Sequence, residues 1–288
     1  MLSKIYLETT NVCNLSCSFC HGTCRQPHFM TNDEFGTILK KIQGKAKYLY
    51  LHLMGEPLLN PHISQMAKMA HDAGFEVMLT TNGTLLDTCG QFIYSDGNVK
   101  KVSISLQSVD IIDGKATVHH SSSLENYLES CAYFAKKCAY NGVICVLRLW
   151  NLDNDSSKND MILDILHRLF PDDWIKNRSG FKLIRAPRGT NEIYLEFGEL
   201  FEWPDKNGSI KNVTFCHAIR DQIGILCDGT VVPCCLDADG EMALGNIFSS
   251  DLDSILNSSR AQNILQSFEE HSPCEKMCLT CGYAKRFS

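Results

Sequence analysis

The chain has 288 residues, a net charge of −6 and an apolar content of 44%, which is enough to bury a core without disulfide bonds. Its 27 basic residues are scattered singly or in pairs, which disfavours a dedicated nucleic-acid binder. No run approaches about 18 uncharged apolar residues, so no membrane-spanning helix is predicted. The opening MLSKIYLETT lacks the apolar core of a secretory signal. We therefore expect a cytoplasmic protein whose fifteen cysteines serve as metal ligands and core thiols.

Short β-rich segments alternate with helical segments over the first two thirds of the chain, which indicates an α/β fold with a parallel sheet covered by helices. The predicted strands are KIYLETT (4–10), KYLYLHLMG (47–55), FEVMLTT (75–81), KKVSISLQ (100–107), VICVLRLW (143–150) and EIYLEF (192–197). Between the second and third strands, Asn60 is expected to cap a helix, Pro61 to lie in its first turn and Gly74 to end it. A second crossover helix is predicted over 124–140.

The composition changes after FEWPDKNGSI, because residues 216–288 hold seven of the fifteen cysteines and the βα alternation is lost. QIGILCDGTVVPCC predicts a β-hairpin with its turn at Asp228-Gly229. A helix near 251–268 and a cysteine-rich end follow. We therefore expect residues 1–204 to form one domain and residues 205–288 a small α+β cysteine-rich domain.

Three cysteines, Cys13, Cys17 and Cys20, follow the first predicted strand with C-x3-C-x2-C spacing. A structural zinc site needs four closed ligands, and His21, directly beside Cys20, would complete a tetrahedron poorly. Three thiolates instead leave the fourth iron of a 4Fe-4S cluster open to an exogenous ligand. The spacing therefore favours a reactive cluster over a zinc site.

This motif, with Phe19 directly before the third cysteine, resembles that of the radical S-adenosylmethionine (SAM) enzymes, which follows the first strand of a partial (βα)6 barrel. The resemblance implies that Cys13, Cys17 and Cys20 hold a 4Fe-4S cluster whose open iron is chelated by SAM. One electron then cleaves SAM to methionine and a 5'-deoxyadenosyl radical, which abstracts a substrate hydrogen. It also implies a reducing partner such as flavodoxin or ferredoxin, and an oxygen-labile protein that works anaerobically.

The segment LMGEPLLNP, at the end of the second predicted strand, resembles the family's GGEP loop, with Met54 in place of the first glycine. By this resemblance Gly55 and Glu56 meet the SAM amino group, and Pro57 turns the chain. The alternative interpretation of Glu56 is a solvated loop carboxylate.

Three later strands also end in residues that the resemblance assigns to SAM. TTNG offers Thr81 and Asn82 near the ribose, with an ordinary Asn-Gly turn as the alternative. SISLQS offers Ser105 and Gln107, although many relatives carry an acid at the position of Gln107. Arg148, in the fifth strand, is expected to pair with the SAM carboxylate, unless it is an ordinary surface residue.

The cysteine-rich tail resembles the C-terminal extensions called SPASM and twitch domains, which carry auxiliary iron-sulfur clusters. A full SPASM domain holds two clusters and needs more cysteines near its end than this chain has, so a twitch-like single 4Fe-4S cluster is expected. By this resemblance its ligands are Cys216, Cys234, Cys278 and Cys281. A zinc site is the alternative, since C-x2-C pairs also suit zinc.

Three other cysteines are expected to be structural thiols, each with an alternative. Adjacent strand residues face opposite ways, so Cys235 is not expected to share a cluster with Cys234 unless the loop bends. Cys274 is likewise an alternative ligand. Cys24 lies four residues past the cluster motif, and its alternative role is to donate a hydrogen atom to a substrate radical, as in some radical SAM peptide epimerases.

The resemblance implies a radical SAM oxidoreductase or maturase, and it leaves two substrate classes open. Twitch-type dehydrogenases oxidise a small-molecule alcohol, whereas the wider SPASM group modifies peptides or proteins. The first strand begins near residue 4, which leaves no room for a leader-binding domain and favours a small substrate or one recognised by a separate partner. The alternatives are an activating enzyme for a glycyl-radical partner and a non-enzymatic iron-sulfur or zinc module. RNA modification is disfavoured by the acidic charge.

Overall fold

The structure is a computed structural model that describes residues 2–108, 110–112, 115–117, 123–151, 157–171, 174–176, 182–184 and 193–288. The strands are β1 (Leu2–Leu7), β2 (Ala46–Tyr50), β3 (Glu76–Thr81), β4 (Lys101–Ser105), β5 (Asp110–Ile112), β6 (Lys115–Thr117), β7 (Ile144–Asn151), β8 (Trp174–Lys176), β9 (Lys182–Ile184), β10 (Ile193–Glu199), β11 (Gln222–Ile225), β12 (Thr230–Val232) and β13 (Gly245–Asn246). Within these described residues, no helix combines the length and apolarity that crossing a membrane requires.

The α-helices are α1 (Asn32–Ile42), α2 (Ile63–Asp72), α3 (Leu86–Cys89), α4 (Phe92–Ser95), α5 (Leu124–Tyr140), α6 (Ser157–Leu169), α7 (Leu252–Leu256), α8 (Ser259–Glu269) and α9 (Lys276–Leu279). Short 3-10 turns lie at Pro57–Leu59, Leu106–Ser108 and Ala284–Phe287. The six strands predicted over the first two thirds are present as β1, β2, β3, β4, β7 and β10, and α5 has the predicted bounds. The α/β fold class is therefore confirmed.

Two helix predictions need correction. Helix α2 begins at Ile63 rather than after Asn60. The Asn60 side-chain oxygen accepts from the His62 N–H at 2.9 Å just before the helix, and its amide donates to the carbonyls of Thr9 at 2.8 Å and Met30 at 3.0 Å. The helix predicted near 251–268 is two helices, α7 and α8. They separate at Ser258, whose hydroxyl caps the second helix by accepting from the Ala261 N–H.

The chain divides into two compact units, of which the first comprises Met1–Cys13, His21–Glu76 and Phe201–Ser288. Within it the strand order is β13-β12-β11-β1-β2. Strand β1 pairs in parallel with both β2 and β11, while β12 and β13 continue antiparallel. The predicted hairpin is thus present, with its turn at Gly229, and its first strand extends the sheet of β1.

Side chains of β1 alternate between two environments. Ile5 and Leu7 are fully buried, whereas Lys4 and Tyr6 are partly exposed, as expected when successive residues of a strand face opposite sides. On the apolar side of this unit, α1 contributes a buried face that includes Phe35 and Ile38. These buried side chains of β1 and α1 belong to the core of the first unit.

The second unit comprises Asn14–Cys20 and Val77–Leu200. Its strand order is β3-β4-β7-β10-β9-β8, in which β3, β4, β7 and β10 are parallel and the last two are antiparallel additions. Helix α5 covers this sheet with a buried face, and Ser123 caps its first turn by accepting from the Asn126 N–H.

Candidate functional site

The GEP loop is packed against the segment that leads into the first cysteine. Gly55 has a φ of +73°, and a Cβ there would lie 2.5 Å from the Thr10 carbonyl oxygen and 2.8 Å from that of Val12. The Glu56 N–H donates to the same Val12 carbonyl at 2.8 Å. Only glycine has both the backbone freedom and the space that this approach requires. The absent side chain therefore lets the loop support the entry to Cys13.

Glu56 itself is almost fully buried, with 1% of its surface exposed. Its carboxylate accepts from the Leu58 N–H at 3.1 Å, and Pro57 opens the 3-10 turn that follows. The carboxylate therefore caps this turn, and its assignment to the SAM amino group stays a prediction.

A second buried carboxylate, Glu8, lies directly after β1 and was missed at the sequence level. It accepts from the Arg25 guanidinium at 2.7 Å and from the backbone N–H groups of Met54 at 3.2 Å and Cys227 at 3.0 Å. Arg25 also donates to the Ala238 carbonyl at 2.8 Å. One ion pair thus ties the segment after the cysteine motif to the GEP loop and to the tail.

In the second unit, the segment between the first two cysteines binds the TTNG loop. The Asn14 amide donates to the Thr84 hydroxyl at 2.8 Å, and the Asn82 amide donates to the Asn14 side-chain oxygen at 2.9 Å. The Thr81 hydroxyl accepts from the Gly83 N–H at 3.1 Å. Asn14 and Thr84 escaped the sequence analysis, because only their spatial neighbours identify them. Farther along the motif, the Cys20 N–H donates to the Cys17 carbonyl at 3.0 Å.

Ser105, Arg148 and Glu196 form a row across three parallel strands. Arg148 is in register with both Ser105 on β4 and Glu196 on β10, so the three side chains share one face. The Arg148 Nε lies 3.6 Å from a Glu196 carboxylate oxygen, and about a third of each side chain is exposed. Glu196 was missed because its segment was read only as a strand.

Gln107 is placed in the 3-10 turn after β4. Its side-chain oxygen is buried and has no hydrogen-bond partner among the residues that the structure describes. A buried acceptor in this condition suits a ligand that carries a hydrogen-bond donor. The amide therefore fits the SAM contact predicted for it.

The tail brings five cysteines to one cavity within the first unit. They include all four predicted ligands of the auxiliary cluster. The cavity is lined by Cys216, Cys234, Cys235, Cys278 and Cys281. Their convergence fits an iron-sulfur cluster, which is held by cysteine thiolates. Among the described residues, no group of three His, Cys, Asp or Glu side chains meets the geometry for a single metal ion.

Cys235 reaches this cavity because β12 ends at Val232, before the two adjacent cysteines. The expectation that Cys234 and Cys235 face opposite ways assumed that the strand continued, and the bend that the structure shows instead lets both line the cavity. The bend after β12, rather than the alternation of strand residues, therefore places Cys235 on the cavity wall.

The electrostatics of the metal-free thiols follow from their burial. Burial raises the pKa of Cys216, Cys234, Cys278 and Cys281 above the ordinary thiol value. For Cys216, Cys234 and Cys278 the neighbouring thiols raise the pKa further. Such crowded thiols lose their protons when a metal group binds among them, so occupancy and proton release are coupled.

The other cysteines with predicted roles lie apart from this cavity. Cys274 is exposed, and its backbone N–H donates to the Ser267 hydroxyl at 3.2 Å. Cys24 is also exposed, and its N–H donates to the Asp239 carboxylate at 2.9 Å. Cys274 does not line the cavity, but its thiol is near enough to Cys278 to raise the pKa of that residue beyond the effect of burial, so its alternative role as a ligand stays a prediction.

Two protein-family profiles match the parts of the chain that contain these two groups of cysteines. The Radical SAM superfamily profile matches residues 7–155, and the profile of the SPASM iron-sulfur cluster-binding domain matches residues 216–282. The radical SAM domain binds SAM and a 4Fe-4S cluster, and the SPASM domain implies additional iron-sulfur clusters. The profile matches therefore identify SAM and iron-sulfur clusters as the cofactors of the chain.

A curated relative is the AdoMet-dependent heme synthase of Methanosarcina barkeri, which is 38% identical over 82 residues, or 27% of this chain and 24% of the relative. The chain thus matches only about a quarter of that relative's length.

Two solved structures share the fold. BtrN in complex with AdoMet and 2-DOIA has a TM-score of 0.59 at 13% identity and covers 98% of this chain and 93% of its own. Streptococcus suis SuiB bound to the precursor peptide SuiA has a TM-score of 0.63 at 14% identity, covering 99% and 70%. At these identities the likeness shows the fold alone, a partial barrel with a cysteine-rich C-terminal region. The chain belongs to the radical SAM superfamily.

Proposed function

We propose that this enzyme removes a hydrogen atom from its substrate and completes a two-electron oxidation or a cross-link with the help of one auxiliary 4Fe-4S cluster. In this proposal residues 1–204 carry the SAM chemistry and residues 205–288 carry the auxiliary cluster. When bound, the first cluster supplies the electron that cleaves SAM to methionine and a 5'-deoxyadenosyl radical. The chain's own residues have to hold, orient and shield these groups.

The thiolates of Cys13, Cys17 and Cys20 are the proposed ligands of the first cluster. Phe19 lies beside the third of them in the motif. The proposed SAM contacts are Gly55, Glu56, Pro57, Thr81, Asn82, Ser105, Gln107 and Arg148. Support for this set comes from the packing of Gly55 against the motif's entry and from the buried, unsatisfied oxygen of Gln107.

The observation that carries the oxidative half of the proposal is the cavity lined by Cys216, Cys234, Cys278 and Cys281. Four protein thiolates close the coordination of a 4Fe-4S cluster, so a cluster held there has no iron left for SAM. Such a cluster would take up the electron that the substrate radical gives up, while a proton leaves the substrate. Flavodoxin or ferredoxin is the proposed donor of the electron that starts the reaction.

Two substrate classes remain within the proposal, a peptide or protein and a small molecule. Solved structures of the same fold hold 2-DOIA in one case and a precursor peptide in another. Hydrogen abstraction consumes one SAM for each substrate hydrogen removed. Supplying pooled short peptides and pooled polyols separately, and measuring 5'-deoxyadenosine above the uncoupled rate, separates the two classes.

The proposal is tested by anaerobic reconstitution of the wild type, the Cys13→Ala/Cys17→Ala/Cys20→Ala variant and the Cys216→Ala/Cys234→Ala/Cys278→Ala/Cys281→Ala variant. We expect about eight irons in the wild type and about four in each variant. With dithionite, 5'-deoxyadenosine should form in the wild type and in the tail variant, but not in the first variant. Oxidised substrate should form only in the wild type.

Cys89→Ala is the matched control, because Cys89 is an exposed cysteine in α3 outside both sets. It should keep the wild-type iron content and both products. A wild type that holds about four irons, all lost in the first variant, would contradict the electron-accepting role of the tail. Zinc in place of iron in the tail would contradict it equally.

A further inference from the structure

Two successive residues of the tail, Ala238 and Asp239, bind the segment that follows the N-terminal cysteine motif. One carboxylate oxygen of Asp239 accepts from the Thr23 hydroxyl at 2.6 Å and from the Cys24 N–H at 2.9 Å. The Ala238 carbonyl accepts from the Arg25 Nε at 2.8 Å. Three consecutive residues after the motif are therefore held by one loop of the tail, and all five residues belong to the first unit.

The other carboxylate oxygen of Asp239 faces His21, the residue directly after Cys20. It lies 3.7 Å from the His21 Nε2, and about 20% of the Asp239 side chain is exposed. The His21 ring is also stacked on that of Trp203, with the ring centres 5.7 Å apart. The contacts of Asp239 therefore begin at the residue that follows the third cysteine of the motif.

The loop that carries Asp239 is fixed at its base by a second aspartate. Asp237 is fully buried, and its carboxylate accepts from the N–H groups of Glu241 at 2.9 Å and Met242 at 2.8 Å. Met242 lines the auxiliary cavity, and its sulfur lies 3.7 Å from that of Cys278. These contacts hold the loop in a defined conformation, so Asp239 is presented to the segment after the motif in a defined position.

We propose that Asp239 is a positioning residue for the SAM-binding cluster, because it fixes the segment that leads away from Cys20. Cys20 precedes Thr23 by three residues, so the chain allows at most about 11 Å between their Cα atoms. Anchoring Thr23 and Cys24 therefore restricts where the Cys20 thiolate lies. A displaced ligand would move the cluster relative to SAM, and a misplacement of about 1 Å can slow a reaction about 100-fold. The inference rests on the proposed function, in which Cys20 is a cluster ligand.

The test compares Asp239→Ala with Asp239→Asn in the full chain after anaerobic reconstitution. Electron paramagnetic resonance of the dithionite-reduced proteins, titrated with SAM, gives the SAM concentration that produces half of the spectral change. Asp239→Ala should raise this concentration about tenfold, because two hydrogen bonds to the segment are lost. Asp239→Asn should stay within about twofold of the wild type, because both bonds end on one oxygen, which an amide retains.

The matched control is Asp228→Ala, in the turn of the same hairpin. The Asp228 carboxylate also accepts from a backbone N–H, that of Thr230 at 3.0 Å, but this hydrogen bond stays within the turn. Asp228→Ala should therefore leave the iron content and the SAM titration unchanged. Thr23→Val removes one of the two bonds from the other side and leaves the tail loop intact, so it should raise the SAM requirement by less than Asp239→Ala.

Three results would overturn the inference. Wild-type SAM binding in Asp239→Ala, with about eight irons bound, would refute it and leave the proposed function intact. An equal loss in Asp239→Asn and Asp239→Ala would show that the charge acts, rather than the hydrogen bonds. A wild type whose spectrum does not respond to SAM would refute both the ligand role of Cys20 and the inference.

Thr23→Val decides the matter if Asp239→Ala binds fewer than about eight irons. A raised SAM requirement in Thr23→Val, with its iron complete, would support the positioning role. An unchanged requirement would overturn it, because the segment would then keep its place without this hydrogen bond.

Discussion

The two groups of cysteines in this chain differ in their exposure. Cys13 and Cys20 of the N-terminal motif are exposed, whereas Cys278 and Cys281 of the tail are only 8% and 7% exposed. The N-terminal group offers three thiols on a single short segment, and the tail gathers its thiols from positions up to 65 residues apart in the chain, from Cys216 to Cys281.

This difference corresponds to two kinds of iron-sulfur chemistry. In the proposed function, the local set of three thiols, two of them exposed, leaves one iron accessible to an exchangeable ligand, which SAM binding requires. The proposed set of four tail thiols, two of them buried and two partly buried, closes the coordination of its cluster, which suits electron transfer. Exposure and ligand number together, rather than cysteine count, separate the reactive cluster from the auxiliary one.

Air exposure should give the largest difference between the two groups of cysteines. We expect the exposed cluster to be lost first, taking about four irons and all SAM cleavage with it, while the buried cluster persists longer. Iron content and 5'-deoxyadenosine formation, followed over the same interval, measure the two losses. The Cys13→Ala/Cys17→Ala/Cys20→Ala variant is the control and should keep its iron throughout. Full SAM cleavage after aerobic purification would contradict the open cluster.

Replacing the two adjacent tail cysteines one at a time tests which of them is a ligand of the auxiliary cluster. Cys234→Ala should lose the auxiliary cluster, and therefore about four irons, because its thiol is a proposed ligand. Cys235→Ala should keep them, because four other thiols already close the cluster. Iron counting after anaerobic reconstitution measures both, and Cys89→Ala is the control because that exposed residue lies outside both groups of cysteines. Equal iron loss in Cys234→Ala and Cys235→Ala would contradict the ligand set.

The fold was predicted well where the signals are local. Six strands, the bounds of α5 and the hairpin around Gly229 all follow from periodicity and from nearby turn and cap residues. The cysteine motif was equally local, since its three members lie within eight positions, from Cys13 to Cys20. Patterns formed by residues close together in the chain can be recognised without knowledge of tertiary contacts.

Features that depend on distant partners were not predicted. Asn60 has the sequence of a helix cap, but its amide binds carbonyls 51 and 30 residues away. Glu8 was read as an ordinary strand residue, although its carboxylate is buried against Arg25 and Cys227. The position of Cys235 on the cavity wall was not predicted, because it depends on the bend that follows β12. Tertiary hydrogen bonds decide such positions, and a single sequence does not display them.

The Glu8–Arg25 pair links the segment after the exposed motif to the tail, so removing its charge tests whether the two regions are held together through it. Glu8→Gln leaves the buried Arg25 guanidinium without its carboxylate and should cost about 3 kcal/mol of unfolding free energy. Asp72→Asn is the control, since it removes an exposed pair with Lys68 worth less than about 1 kcal/mol. Denaturant unfolding of the metal-free proteins measures both. Equal costs would show that the buried pair is not a structural link.

A further comparison concerns the entry to the exposed motif, where Gly55 and Gly44 form a matched pair. Their φ values are +73° and +74°, but a Cβ on Gly55 would meet the Thr10 carbonyl, whereas one on Gly44 meets nothing within 4 Å. Gly44→Ala should therefore cost only the backbone strain of about 1 kcal/mol, and Gly55→Ala about 2 kcal/mol more, because the loop has to move. Denaturant unfolding of the metal-free proteins measures this difference.

Equilibrium binding of SAM to the reconstituted proteins adds a functional readout to the same pair. The displaced loop carries Glu56, so Gly55→Ala should weaken SAM binding, whereas Gly44→Ala should not change it. Because both substitutions impose the same backbone strain, any difference in SAM affinity comes from the contact between the GEP loop and the segment leading into Cys13. Equal SAM affinities in the two variants would show that the packing of the GEP loop does not affect cofactor binding. Gly55 would then have a purely structural role.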